Sequence, residues 1–121
     1  MKKPIIFIIL LIVLAVGFSL AIKRHQYHPG PQIILYYSKQ CPGCAQVEEF
    51  LQKHVGARRA VPLQKKEITT NRDNLLELIR VEKYCHMPVK QYVIIPLLWT
   101  GKDCISGQDN IIKFFKEQIK Q

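Results

Sequence analysis

The sequence lacks the features of several protein classes. It contains no internal repeat and no low-complexity tract, and its composition argues against intrinsic disorder. Acidic residues are few, with 9 Asp and Glu against 18 Lys and Arg. The basic residues are spread along the chain without an aromatic stacking platform, which argues against nucleic acid binding. The 121 residues leave room for one compact domain of about ninety residues and for no second core.

Charged side chains are absent between Lys3 and Lys23, where one glycine and one serine interrupt an apolar run. As a helix, the eighteen residues 5–22 would extend roughly 27 Å, close to the thickness of a bilayer's hydrocarbon core. We therefore predict that residues 1–22 form a transmembrane signal anchor. A cleaved secretory signal is the alternative, because a basic start and small residues at 19 and 21 suit a signal peptidase. The apolar run exceeds the roughly 7–15 residues of a signal core, which favours the anchor.

The remainder of the chain divides into a linker and a domain. Residues 23–32 (KRHQYHPGPQ) are polar and rich in proline, which predicts a linker. Residues 33–121 predict an α/β domain with the order β-α-β-α-β-β-α, a parallel first strand pair and an antiparallel second pair. Leu75, Leu76 and Ile79 are expected to face its core. The predicted strands are Ile33–Tyr37, Val61–Ile68, Tyr92–Thr100 and Cys104–Ser106, and the predicted helices begin at Pro42, Arg72 and Asp109, with Gly56 as the stop of the first.

The first strand leads directly into the motif CPGC, at Cys41 and Cys44. Two thiols at this spacing can close and reopen a disulfide, and the free N–H groups and dipole of a helix start favour a thiolate. In this setting a cysteine pKa falls to roughly 3.5–7.5 from about 8.5. Pro42 suits the first helical position because it has no N–H to leave unpaired, Gly43 keeps the approach open, and Lys39 adds positive charge.

A CPGC motif alone also allows a static disulfide or half of a zinc site. Zinc sites usually contain a second close pair of ligands. The other two cysteines, Cys85 and Cys104, lie nineteen positions apart. We therefore predict a redox pair and no metal.

Three segments together resemble the glutaredoxin-like branch of the thioredoxin superfamily, over about residues 33–120. They are the junction YYSKQCPGC, the step Ile95-Pro96, and GKDCISGQDNI as a turn, last strand and start of the final helix. The resemblance implies a thioredoxin-like fold, with Cys41 as nucleophile and Cys44 as resolving thiol. It also implies that Pro96 is a cis-proline facing the cysteines.

The resemblance further implies a substrate groove around the redox pair. Its expected residues are Pro42, Gly43, Ile95, Pro96 and Gly107, and the Ile95 backbone would pair with an extended substrate. Two positions that help hold glutathione in that family differ here: Lys39 stands two residues before the first cysteine instead of three, and Ser106 replaces one glycine of a pair. No cofactor besides the disulfide is therefore expected, and glutathione use remains an alternative.

The expected topology places the end of the second domain helix and the hairpin turn at the pole opposite the CPGC motif. Cys85 and Cys104 would meet there, so we predict a structural disulfide, with two independent buried thiols as the alternative. A disulfide and a secretory-type N-terminus are typical of an oxidising compartment. We therefore expect a single-pass membrane protein whose domain lies on the extracytoplasmic side.

Together these features predict a membrane-tethered monomeric thiol–disulfide oxidoreductase. Its partners would be cysteine-containing protein substrates, the membrane and a possible membrane redox partner, without nucleic acid. Three alternatives stay open: a dedicated electron-relay module, a glutathione-dependent glutaredoxin-type module, and a non-catalytic binding domain with a thioredoxin fold.

Overall fold

The structure is a computed structural model that describes residues 2–23, 27–54, 62–88 and 91–120. A long N-terminal helix precedes a four-stranded mixed sheet and three further helices. The elements in chain order are α1 (Lys2–Lys23), β1 (Ile33–Tyr37), α2 (Pro42–His54), β2 (Leu63–Glu67), α3 (Arg72–Tyr84), β3 (Leu97–Trp99), β4 (Cys104–Ser106) and α4 (Gln108–Lys120).

The sheet has the strand order β2-β1-β3-β4. Strands β1 and β2 are parallel, with Ile33 opposite Leu63, whereas β3 is antiparallel to both β1 and β4. Helix α2 supplies the crossover that a parallel pair requires. The α/β character and the order of these seven elements agree with the sequence pattern.

Alternating side chains on the two central strands divide the core into two layers. On one face, a cluster buries side chains of β1, β3 and α3: Ile34, Tyr36, Leu97, Trp99, Leu78 and Val81. On the other face, a cluster joins the same strands to α2 and α4: Leu35, Leu98, Val47, Leu51, Ile111 and Phe115. Strand β1, which precedes the CPGC motif, and strand β3, which follows Pro96, are therefore packed on both faces.

Several predicted boundaries and core positions differ from the structure. Strand β3 is limited to Leu97–Trp99, because the chain before it turns at a cis Ile95-Pro96 bond. Leu76 and Ile79 are 40% and 45% exposed, since the sheet covers only the stripe of α3 that carries Leu78 and Val81. The predicted helix stop at Gly56 and the predicted strand start at Val61 lie outside the described residues.

The N-terminal helix requires a correction. Within the part of the chain that the structure describes, there is no helix with the length and apolar content that a bilayer crossing demands. The predictions of a transmembrane signal anchor over 1–22 and of a single-pass protein with an extracytoplasmic domain are therefore wrong.

The second half of the predicted linker packs on the domain. The Trp99 indole N–H donates to the Gly30 carbonyl at 2.8 Å, and the His28 ring lies 5.3 Å from that of Tyr84. A Cβ at Gly101 would lie 2.5 Å from the Pro31 carbonyl oxygen, so only glycine permits this approach. Residues 27–31 thus form part of the fold, while 24–26 of the predicted linker lie outside the described residues.

Candidate redox site

The CPGC motif lies where β1 ends and α2 begins. The Cys41 N–H donates to the Ser38 carbonyl at 3.2 Å, which closes a tight turn, and the Cys41 carbonyl accepts the Ala45 N–H at 3.1 Å. Cys41 is therefore the residue at which the helix begins, and Pro42 occupies the first helical position. This arrangement follows from the sequence, because a missing N–H is tolerated only in the first turn.

The two sulfurs of the motif are joined in a disulfide, with their Cα atoms 5.2 Å apart. Cys41 is partly exposed, whereas Cys44 is buried, with 1% of its surface accessible. An incoming thiol or disulfide therefore reaches Cys41 more easily than Cys44.

The surroundings of the Cys41 sulfur favour negative charge. The Cys44 backbone N–H donates to Cys41 Sγ at 3.1 Å. The first turn of α2 contains no acidic side chain. Because the positive end of a helix dipole and a free N–H both stabilise an anion, reduction of the disulfide would leave the Cys41 sulfur in a setting suited to a thiolate. Lys39 is exposed in the preceding turn, and the described residues include no hydrogen bond from it to either sulfur.

The hydroxyl group of the buried residue Ser38 supports the turn before Cys41. Ser38 is 7% exposed, and its Oγ lies 2.7 Å from Thr69 Oγ1 and accepts the Gln40 N–H at 3.2 Å. Thr69 follows β2, so this pair connects the carboxyl ends of the two parallel strands. The turn that presents Cys41 is thereby fixed to the neighbouring strand. Sequence reasoning missed Ser38 and Thr69, although a polar residue after an apolar strand was a visible signal for Ser38.

Pro96 and the start of α4 lie against the CPGC turn. An atom at the Cβ position of Gly43 would lie 3.6 Å from Pro96 Cδ and 2.9 Å from Gln108 Oε1. A side chain at position 43 would therefore displace the end of the Gln108 side chain and touch the Pro96 ring. Gly107, in the left-handed region at φ +86°, donates its N–H to the Pro96 carbonyl at 3.2 Å. Gln108 was missed because only the fold brings it to the motif.

The structure thus brings together most of the residues that the resemblance assigns to the groove. Cys41, Gly43, Pro96 and Gly107 are linked through the contacts described above, and the Ile95-Pro96 peptide is cis. Pro42 is exposed beside Cys41. Ile95 is partly buried and packs against the cluster of β1, β3 and α3.

The second pair of cysteines is separate from this site. Cys85, which ends α3, forms a disulfide with Cys104 of β4, and their Cα atoms are 6.1 Å apart. Both residues line a cavity of about 350 Å³ together with Tyr84, His86, Met87, Lys102 and Asp103. This bridge connects two elements that the sheet alone does not pair.

Two acidic side chains stabilise the elements around the site. Glu67 accepts the Thr70 hydroxyl and the backbone N–H groups of Thr69 and Thr70, and the Thr70 hydroxyl contributes most to lowering the pKa of Glu67 to about 2. Glu77 accepts the Tyr36 hydroxyl at 2.9 Å and pairs with Lys66 at 2.5 Å. Burial raises the pKa of Tyr36, and the bond to Glu77 raises it further. Tyr36 therefore remains a neutral hydroxyl that connects β1 to α3.

Comparison of the chain with protein-family models finds no match, and no curated protein is significantly similar to it. No group of three or more His, Cys, Asp and Glu side chains within the described residues is arranged to hold a metal ion.

Proposed function

We propose that this chain is a thiol–disulfide oxidoreductase of the thioredoxin superfamily, resembling its glutaredoxin-like branch, with Cys41 as the nucleophile and Cys44 as the resolving thiol. The observation that carries the proposal is the Cys44 N–H donated to Cys41 Sγ at the first turn of α2. A hydrogen bond and a helix dipole directed at one sulfur stabilise the thiolate, which is the reactive form.

The reaction begins with the reduced pair. The Cys41 thiolate attacks one sulfur of a substrate disulfide, so that a mixed disulfide forms and the first substrate thiolate leaves. The Cys44 thiol loses its proton and attacks Cys41 Sγ, which forms the Cys41–Cys44 bond and releases the second substrate thiolate. Two electrons pass to the substrate, and the reverse sequence oxidises a substrate dithiol.

The difference in burial supports this assignment of roles. Partly exposed Cys41 is open to an incoming disulfide, while buried Cys44 is shielded from every sulfur except that of its neighbour. Gly43 adds no side chain beside Cys41, whereas a Cβ at this position would lie 2.9 Å from Gln108 Oε1. Cysteine-containing proteins are the substrates that this proposal implies.

Reduction of insulin disulfides with dithiothreitol as the electron source tests the proposal. We expect the wild-type chain to accelerate the reaction and Cys41→Ser to reduce it to the uncatalysed rate. A C85A/C104A double variant is the matched control, because it removes two sulfurs and leaves the CPGC motif intact. Catalysis by Cys41→Ser, or no catalysis by the folded wild-type chain in either direction, would contradict the proposal.

Trapping with Cys44→Ala defines the substrates. Without the resolving thiol, the mixed disulfide on Cys41 persists and can be isolated from an extract under non-reducing conditions. Many adducts indicate a general oxidoreductase, while one dominant adduct indicates a dedicated electron relay. Cys41→Ser in the Cys44→Ala background is the control, because it should trap nothing.

A further inference from the structure

The segment before β3 is held by hydrogen bonds at both of its ends. At one end, the Gly107 N–H donates to the Pro96 carbonyl at 3.2 Å. At the other end, the Ile94 N–H donates to Glu82 Oε1 at 2.5 Å. The intervening Ile95-Pro96 step is thereby fixed on one side by Gly107, which directly precedes α4, and on the other by α3.

Glu82 is well placed to act as a fixed support. Its neighbour Val81 and Leu78, one turn earlier, are completely buried beneath the sheet, so α3 cannot shift easily. The Glu82 carboxylate is itself partly buried. A hydrogen bond from a backbone N–H to a carboxylate is shorter and stronger than a neutral one, and partial burial increases its strength.

The position of this segment determines the shape of the surface beside the redox pair. Pro96 Cδ would lie 3.6 Å from a Cβ at Gly43, so the proline ring faces the CPGC turn. Because Pro96 lies against the CPGC turn, a protein bound at Cys41 would lie next to Ile95 and Pro96. A displacement of Ile94 would therefore change the contact with a protein substrate and leave Cys41 and its helix in place.

We propose that Glu82 is a positioning residue, whose carboxylate sets the Ile94–Pro96 segment for the binding of protein substrates. This inference rests on the proposed function, and it assigns to α3 a role in substrate affinity. Glu82 does not touch the reacting sulfurs. It acts through the Ile94 backbone alone.

The test compares two substrates for Glu82→Ala, Glu82→Gln and the wild-type chain. On this proposal insulin contacts the surface beside Pro96, whereas a small aromatic disulfide that releases a coloured thiol needs access to Cys41 alone. We expect Glu82→Ala to raise KM for insulin by about tenfold, the effect of losing one hydrogen bond to a charged group. Its kcat and its rate with the small disulfide should remain within about twofold of wild type. Glu82→Gln keeps an acceptor oxygen and should restore most of the affinity.

A matched control is Glu117→Ala, because Glu117 is exposed on α4 and forms no side-chain hydrogen bond or ion pair within the described residues. An unchanged KM for insulin in Glu82→Ala would overturn the inference, as would an equal loss of activity on both substrates. Failure of Glu82→Gln to restore affinity would also overturn it. A folded wild-type chain without activity on either disulfide would overturn the proposed function and this inference together.

Discussion

The two disulfides of this chain occupy opposite ends of helices. Cys41 lies at the N-terminus of α2, where its sulfur accepts the Cys44 N–H at 3.1 Å. Cys85 ends α3, and Cys104 Sγ lies 4.0 Å from the Val81 carbonyl oxygen in the last turn of that helix. Helix dipoles stabilise anions at the N-terminus and destabilise them at the C-terminus.

The two disulfides therefore differ in how well their surroundings stabilise the thiolates that reduction releases. A thiolate released at Cys41 meets the Cys44 N–H, while a thiolate released at Cys104 meets the Val81 carbonyl oxygen. The sequence separations differ as well, at three residues for the first pair and nineteen for the second. We infer that the first pair is built for exchange and the second for stability.

Removal of the second disulfide should have the largest effect on stability, and it tests the comparison of the two pairs. In the chain-entropy model, closing a nineteen-residue separation stabilises the fold by about 3 kcal/mol, against about 2 kcal/mol for the CPGC loop. We expect the C85A/C104A variant to lower the free energy of unfolding by about 3 kcal/mol in urea titrations, with activity per folded molecule unchanged. Loss of activity in the folded variant would show that the Cys85–Cys104 disulfide also contributes to exchange, against its assignment to stability alone.

A smaller effect is expected from the hydroxyl group behind Cys41. Ser38→Ala leaves the Gln40 N–H and the Thr69 hydroxyl without their buried partner, at a cost of about 1–2 kcal/mol in unfolding free energy. It should also slow alkylation of reduced Cys41, because the turn before the helix is loosened. Ser106→Ala is a matched control, since no hydrogen bond of its side chain is present in the described ranges. Equal unfolding free energies and equal Cys41 alkylation rates in the two variants would show that Ser38 does not support the site.

The smallest effect concerns Glu67, whose turn carries Thr69. The pKa of Glu67 is about 2 in the fold against 4.5 in a model peptide, so its stabilisation is present above about pH 4.5 and is lost as the pH falls toward 2. Glu67→Gln should flatten the dependence of urea midpoints on pH in this window. Glu117→Gln provides the control, and an unchanged slope in Glu67→Gln would show that the hydrogen bonds of Glu67 do not persist in solution.

Local patterns predicted much of the fold. The apolar run at 33–37, the CPGC start of α2 and the start of α3 at Arg72 each depend on neighbouring residues, and each lies where the pattern indicated. The pairing of Cys85 with Cys104 followed from topology, because the end of one helix and a hairpin turn lie at the same pole.

Contacts between distant segments could not be predicted in this way. The packing of residues 27–31 depends on the need of the Trp99 indole for an acceptor, which Gly30 supplies from 69 positions away. Gln108 lies beside the CPGC turn, and Glu82 accepts the Ile94 N–H, only because α4 and α3 pack on opposite faces of the sheet. Nothing in their local sequence distinguishes them from surface residues.

The pH dependence of alkylation of the reduced chain tests the difference between the two pairs most directly. Short pulses of iodoacetamide, followed by mass spectrometry of the Cys41 and Cys85 peptides, give both reactivities in one sample. We expect half-maximal reactivity of Cys41 at a pH of roughly 3.5–7.5, and that of Cys85 at or above the pH of about 8.5 that is typical of an ordinary thiol. Identical profiles for the two cysteines, with Cys41 near 8.5, would contradict the assignment of Cys41 as the nucleophile.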